Sequence, residues 1–244
     1  AVSGQLSFLS TSIINAINPQ IIKAEGAGNR HKMLRLSEIS SKFSFLLLAL
    51  ISIPAIIEMK SLLTIWLKEI PDHAIMFCQF IVLANLLDQL TIGLGTANKA
   101  IGNIRKYSII VNTIKLLTLP FAFLCLYIGL PVISVMICYV LFEFICALSR
   151  LPFLKVTGGL SIIGFSRRVF LLLSIPTILT TLLCLIYTYF FNARWSFLGT
   201  FALSLIIMTS SSYFIGLCND EKIIIDNITK KIILRCKILM NKYR

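Results

Sequence analysis

The sequence predicts an all-α fold, a polytopic bundle of about seven transmembrane helices, and three observations carry that reading. Of 244 residues, 57% are hydrophobic and only 14% charged, well below the roughly 25% charge of an ordinary soluble domain; mean hydropathy is +0.90. Apolar runs recur along the chain, each close to the roughly 20 residues that cross a hydrocarbon core as a helix. Basic residues gather in alternate connections between those runs, as the positive-inside rule requires of a multi-pass protein.

Taken in order, the runs place spans at 1–22, 41–58, 74–97, 107–128, 130–149, 168–189 and 195–217. No initiator Met or signal-peptide pattern precedes the first, so the chain reads as a fragment lacking its N-terminal portion. That first span is polar. Ser3, Ser7, Thr11, Asn15 and Asn18 fall on one helical stripe, with Gln5 and Gln20 beside it. Such a face turns either to another helix or to a water-filled cavity, and Pro19 is expected to break or kink the helix. After the second span, Leu62, Leu63, Trp66 and Leu67 share one face of segment 59–73, which predicts a short amphipathic helix in the outer interface. The tail, 218–244, interleaves isoleucines with Lys230, Lys231, Arg235 and Lys237. It reads either as an amphipathic helix on anionic lipid or as a frayed basic tail.

Net charge is +13, and its distribution decides what it means. The 23–42 connection carries Lys23, Arg30, Lys32, Arg35 and Lys42, the 98–106 connection Lys99, Arg105 and Lys106, and the 150–168 stretch Arg150, Lys155, Arg167 and Arg168. The intervening connections hold only Lys60, Lys68 and Arg194. The rich connections are therefore cytoplasmic, Ala1 starts outside and Arg244 ends inside an inner (plasma) membrane, and nucleic acid is not needed as a partner. Five cysteines lie inside spans without metal-ligand spacing, and His31 and His73 fall on opposite faces, so neither metal nor triad chemistry is visible. No nucleotide-binding glycine loop or activated-nucleophile motif points to an enzyme, and no cofactor is implied.

Three spans carry ionisable groups at membrane depth: Asp88, Lys115 and Glu143. They lie about nine, eight and six residues from the expected cytoplasmic ends, one layer roughly 9 to 14 Å deep at 1.5 Å per residue. An unpaired charge there costs at least ~2.5 kcal/mol, so the three are expected to face the interior and pair with each other or with a ligand. Lys115 bridging to Glu143 or Asp88 would be purely structural; Asn85, Gln89 and Asn112 extend the polar layer in either case.

Asn18-Pro19-Gln20, Ser40-Ser41-Lys42 before Phe43-Ser44-Phe45-Leu46, Ile65-Trp66-Leu67-Lys68-Glu69-Ile70-Pro71 and Gly102-Asn103-Ile104-Arg105-Lys106-Tyr107 resemble, in this order and spacing, the C-terminal half of bacterial polysaccharide flippases. These are O-antigen and capsule exporters of the multidrug/oligosaccharidyl-lipid/polysaccharide exporter superfamily. The resemblance implies that 1–155 is most of the second transporter bundle, 156–217 an appended helix pair and 218–244 a cytoplasmic tail, with the missing N-terminal half as a partner. It also implies alternating-access export of an undecaprenyl-pyrophosphate-linked oligosaccharide for surface (lipopolysaccharide) glycan synthesis. Lys115 would then attract the pyrophosphate, Asn15, Asn18, Asn85 and Gln89 would bind sugar hydroxyls, and Asp88 or Glu143 would hold a coupling H+ or Na+. A multidrug exporter of the same superfamily, a membrane glycan polymerase or ligase, and an envelope scaffold are the rival expectations.

Overall fold

The structure, a computed structural model, describes residues 2–67, 69–102, 104–191, 196–223 and 226, without the side chains of 2–11 and 13. The described residues form helices and no strand: α1 (Val2–Gly26), α2 (Arg30–Ile57), α3 (Met59–Trp66), α4 (Ala74–Gln89), α5 (Ile92–Ala100), α6 (Ile104–Tyr127) and α7 (Ile133–Gly158). There follow α8 (Ile162–Phe165), which passes through a π-helical stretch, Ser166–Leu171, into α9 (Leu172–Phe190), and α10 (Ser196–Ser211), which ends in a second, Ser212–Gly216.

Among the described residues, five helices are long and apolar enough to cross a membrane: Arg30–Ile57, Ile104–Tyr127, Ile133–Gly158, Ile162–Phe190 and Ser196–Gly216. Counting the bent pair α4 and α5 as one span makes six. With 25 residues, α1 has the length; its serines and asparagines leave it short of the apolarity of the others. Its helix also continues past Pro19 to Gly26 rather than breaking there.

The core is arranged around α2. Its Met33, Phe45, Leu48, Ala49 and Ile53 pack with Ile21 of α1, Leu94 and Ala97 of α5, Leu154 of α7, Phe165 and Leu173 of the α8–α9 rod and Met208 of α10. Burying apolar side chains around one helix gives van der Waals packing on every side of it, and within lipid that packing carries association. Hydroxyls supplement it: Ser204 Oγ of α10 donates to the Leu50 carbonyl oxygen at 2.9 Å. Gly93 of α5 sits so close to α2 that its backbone N–H donates to Ser41 Oγ at 3.0 Å. α6 is peripheral. It packs mainly on α7, and none of its most apolar stretch is buried.

Three boundaries differ from those the sequence predicts. The basic stretch 23–42 is almost entirely helical, because α2 begins at Arg30, where Asn29 caps it by accepting from the Lys32 N–H at 3.1 Å. α7 runs on to Gly158 and stops only at Gly159, whose φ of 74° ends the helix in the left-handed region. The third is the break within 74–97: α4 and α5 meet at 47°, with Leu90 and Thr91 between them. The amphipathic segment forms as α3, where Met59 and Leu63 pack against Val82 while Trp66 stays exposed. The tail beyond Ile223 lies outside the described residues except for Asp226.

Candidate functional site

At the α4–α5 break the backbone must bend without the help of proline or glycine. Arg150 of α7 supplies what the bend lacks. Its Nη2 donates to Asp88 Oδ1 at 2.5 Å, and its Nη1 donates to the Asp88 carbonyl oxygen at 3.2 Å and to Thr91 Oγ1 at 3.4 Å. Thr91 Oγ1 in turn donates to the Ala147 carbonyl oxygen at 2.8 Å, and Asn98 Nδ2 donates to the Arg150 carbonyl oxygen at 3.2 Å. The guanidinium thus serves both a carboxylate and a carbonyl at the break whose backbone bond, from the Thr91 N–H, is long at 3.4 Å, as irregular backbone at membrane depth requires. Gly95 leaves room for it: a Cβ there would lie 3.8 Å from Arg150 Nε and 3.1 Å from the Tyr107 hydroxyl.

Asp88 therefore pairs with Arg150, a residue the sequence places just beyond its span, and not with Lys115. Lys115 pairs with Glu143 across α6 and α7, its Nζ donating to the two carboxylate oxygens at 3.0 and 2.9 Å. The two pairs have different settings. The difference lies in the cations: Arg150 is 6% exposed at its side chain and Lys115 43%, while the acids are closer, Asp88 20% and Glu143 13%. Lys115 lies near the middle of α6, and half-buried Ser108 with exposed Asn112 and Thr113 line an open cavity of about 420 Å³ along the same helix.

The amides divide similarly. Asn18 Oδ1 accepts from Thr96 Oγ1 at 2.9 Å, joining α1 to α5, while Asn15 is exposed and Asn85 half-buried. Gln89 is buried, and its Oε1 has no partner among the described residues. Ser3, Ser7 and Thr11 of the predicted polar stripe lie on α1, but their side chains fall outside the description. The structure thus brings Asp88, Gln89 and Arg150 together at the break, and Lys115 with Glu143 at the α6–α7 seam. No group of three or more His, Cys, Asp and Glu side chains suited to a metal occurs among the described residues.

Two polar clusters escape sequence reasoning. The first closes one end of the bundle. Buried Lys42 pairs with buried Glu221 at 2.7 Å, Arg35 reaches Glu221 at 3.1 Å and Glu38 at 3.2 Å, and Arg168 reaches Glu38 at 2.8 Å. Arg35, Glu38 and Lys42 recur at helical spacing on α2, a signal in plain sight, but Glu221 lies far along the chain and nothing local ties it to them. In the second, buried Glu58 accepts from Ser61 Oγ at 2.7 Å, Ser196 Oγ at 3.0 Å and Thr200 Oγ1 at 3.4 Å. A carboxylate beside the first turn of α10 also meets the positive end of that helix. Together the clusters fasten α9 and α10 to both ends of α2.

No family model, curated protein or solved structure matches the chain.

Proposed function

We propose that this chain is the C-terminal half of an inner-membrane exporter that flips an undecaprenyl-pyrophosphate-linked oligosaccharide by alternating access, with the basic connections and the C-terminus cytoplasmic. The observation that carries the reading is the half-exposed Lys115 of the peripheral α6, paired with Glu143 of α7, together with exposed Asn112 on the same helix. A half-exposed charge in the middle of an apolar helix is not tolerated by lipid. It calls for water, a polar ligand or further protein on that side, and a water-filled cavity between two bundles supplies this. Lys115 is suited to an anionic pyrophosphate and Asn112 and Asn15 to sugar hydroxyls. The Asp88–Arg150 pair belongs to the scaffold, and Gln89 beside it holds a buried acceptor with no partner among the described residues. Of the two intramembrane acids considered for ion coupling, Asp88 is held by a buried partner and Glu143 by an exposed one, although the acids themselves are 20% and 13% exposed.

The test deletes the full-length gene, stains for surface polysaccharide and assays lipid-linked oligosaccharide in the membrane. Short lipid-linked repeat units accumulating on the cytoplasmic face, with loss of surface glycan, are the expected outcome. Units accumulating on the outer face identify a polymerase instead, and an unchanged glycan profile points to a drug exporter.

A further inference from the structure

The end of the bundle closed by the Lys42–Glu221 network holds four described acids within reach of its cations, and each is already engaged. Glu25 pairs with Arg30, Glu38 with Arg35 and Arg168, Glu221 with Lys42 and Arg35, and Asp220 lies 3.9 Å from Arg35. Lys23, in the last turn of α1, and Lys32, in the first turns of α2, are left out of these pairings. Neither has an ion-pair partner among the described residues, yet both line one half-enclosed cavity of about 320 Å³, with Gln20, Ala24, Ala27 and Asn29. Its volume is at the lower end of the range of small-ligand sites.

Two ammonium groups sharing a concavity repel each other unless an anion sits between them. The surroundings suit an anion. Asn29 uses its Oδ1 on the Lys32 N–H, which leaves its side-chain N–H2 as a donor, and no carboxylate of the described residues lines the cavity. Other cations of this end, Lys99, Lys106 and Lys155, are exposed and line neither of the two cavities described above. Ala24 and Ala27 add a small apolar part to the lining. Lysines are point charges that meet phosphate oxygens without demanding a planar partner.

From this we infer that the α1–α2 turn is an anion site for a phosphate or pyrophosphate ester at the membrane surface. The ester comes either from the headgroup of an anionic membrane lipid or from the pyrophosphate of a polyprenyl-linked molecule; the site chemistry is the same for both, and it does not depend on the transport reading.

The test uses the full chain purified in detergent, with phosphatidylglycerol and phosphatidylcholine as competing lipids and native mass spectrometry to count what is retained. The wild type is expected to retain phosphatidylglycerol over phosphatidylcholine, and the double variant Lys23→Ala/Lys32→Ala to lose roughly thirtyfold, as two lysines near an anionic surface imply. The control Lys99→Ala/Lys155→Ala removes the same charge from the same end and is expected to keep the preference. A milder pair, Lys23→Gln/Lys32→Gln, and an unchanged thermal midpoint separate lost binding from lost folding. Displacement by farnesyl pyrophosphate but not by glycerol phosphate assigns the site to the pyrophosphate ester, and displacement by both assigns it to phosphate headgroups generally. Equal loss in the two alanine pairs, or a wild type without preference, overturns the proposal, because the charge then acts diffusely.

Discussion

Two ion pairs inside the helical bundle differ in burial, and burial decides what each substitution does. Arg150→Met leaves the Asp88 carboxylate without its donor in a site where Arg150 is 6% exposed. Removing one partner of a buried pair costs about 3–5 kcal/mol, so the thermal midpoint of the purified chain is expected to fall sharply. Adding Asp88→Leu to that variant removes the orphaned charge and is expected to recover most of the loss, which unfolding curves of the single and double variants measure. Lys115, 43% exposed, behaves differently. A solvated pair contributes only ~0–1 kcal/mol, so Lys115→Ala is expected to leave abundance near normal while abolishing export by the full-length protein. Abundance falling in step with export would make the pair a structural bridge. Asp88, Lys115 and Glu143 stand out in the sequence because charge is rare in apolar runs. Arg150 does not, because it follows the expected end of its span by a single residue and reads as a basic flank; only the helix stop at Gly159 places it inside.

Most helices announce themselves by the length of their apolar runs, and the errors are at their ends and in one interior. The bend at Leu90-Thr91 carries no proline or glycine, the residues that usually mark a kink. Its cause is tertiary, the guanidinium from α7, and a single chain segment cannot reveal it. A glycine within α5 tells a related story. Gly93 looks unremarkable in sequence, but a Cβ on it would overlap the Ser37 carbonyl oxygen, which is backbone and cannot swing aside. Gly93→Ala is therefore expected to push α5 off α2 at a cost of about 1–3 kcal/mol, the usual range for overpacking. Gly199 of α10 makes the control: its added Cβ would meet the end of the Tyr187 side chain, which can rotate away. Comparing the thermal midpoints of Gly93→Ala and Gly199→Ala checks the distinction, with a clear drop expected for the first alone.

Across the whole molecule, the alternation of basic and charge-poor connections predicts which end faces the cytoplasm, and packing shows what each end is made of. The basic end is closed by the network through Lys42 and Glu221, whereas the opposite end rests on Glu58 and the hydroxyls of Ser61, Ser196 and Thr200. Lys42 is the instructive case. It counts as one more positive-inside residue in sequence, but its side chain is 1% exposed and neutralised by Glu221, so it sets packing as much as topology. Orientation itself is read from exposed positions. Single cysteines at Asp72, on the connection before α4, and at Lys155, near the end of α7, lie at opposite ends of the bundle and are both exposed. With Cys218 and Cys236 replaced by serine, a charged, membrane-impermeant maleimide applied to intact cells lacking an outer permeability barrier is expected to label the Asp72 position. The Lys155 position should react only after the cells are opened. The remaining cysteines lie in membrane-spanning helices, where a charged reagent reaches them slowly. Labelling of the Lys155 position in intact cells would invert the topology, placing the basic end, with Lys23 and Lys32, outside the cell.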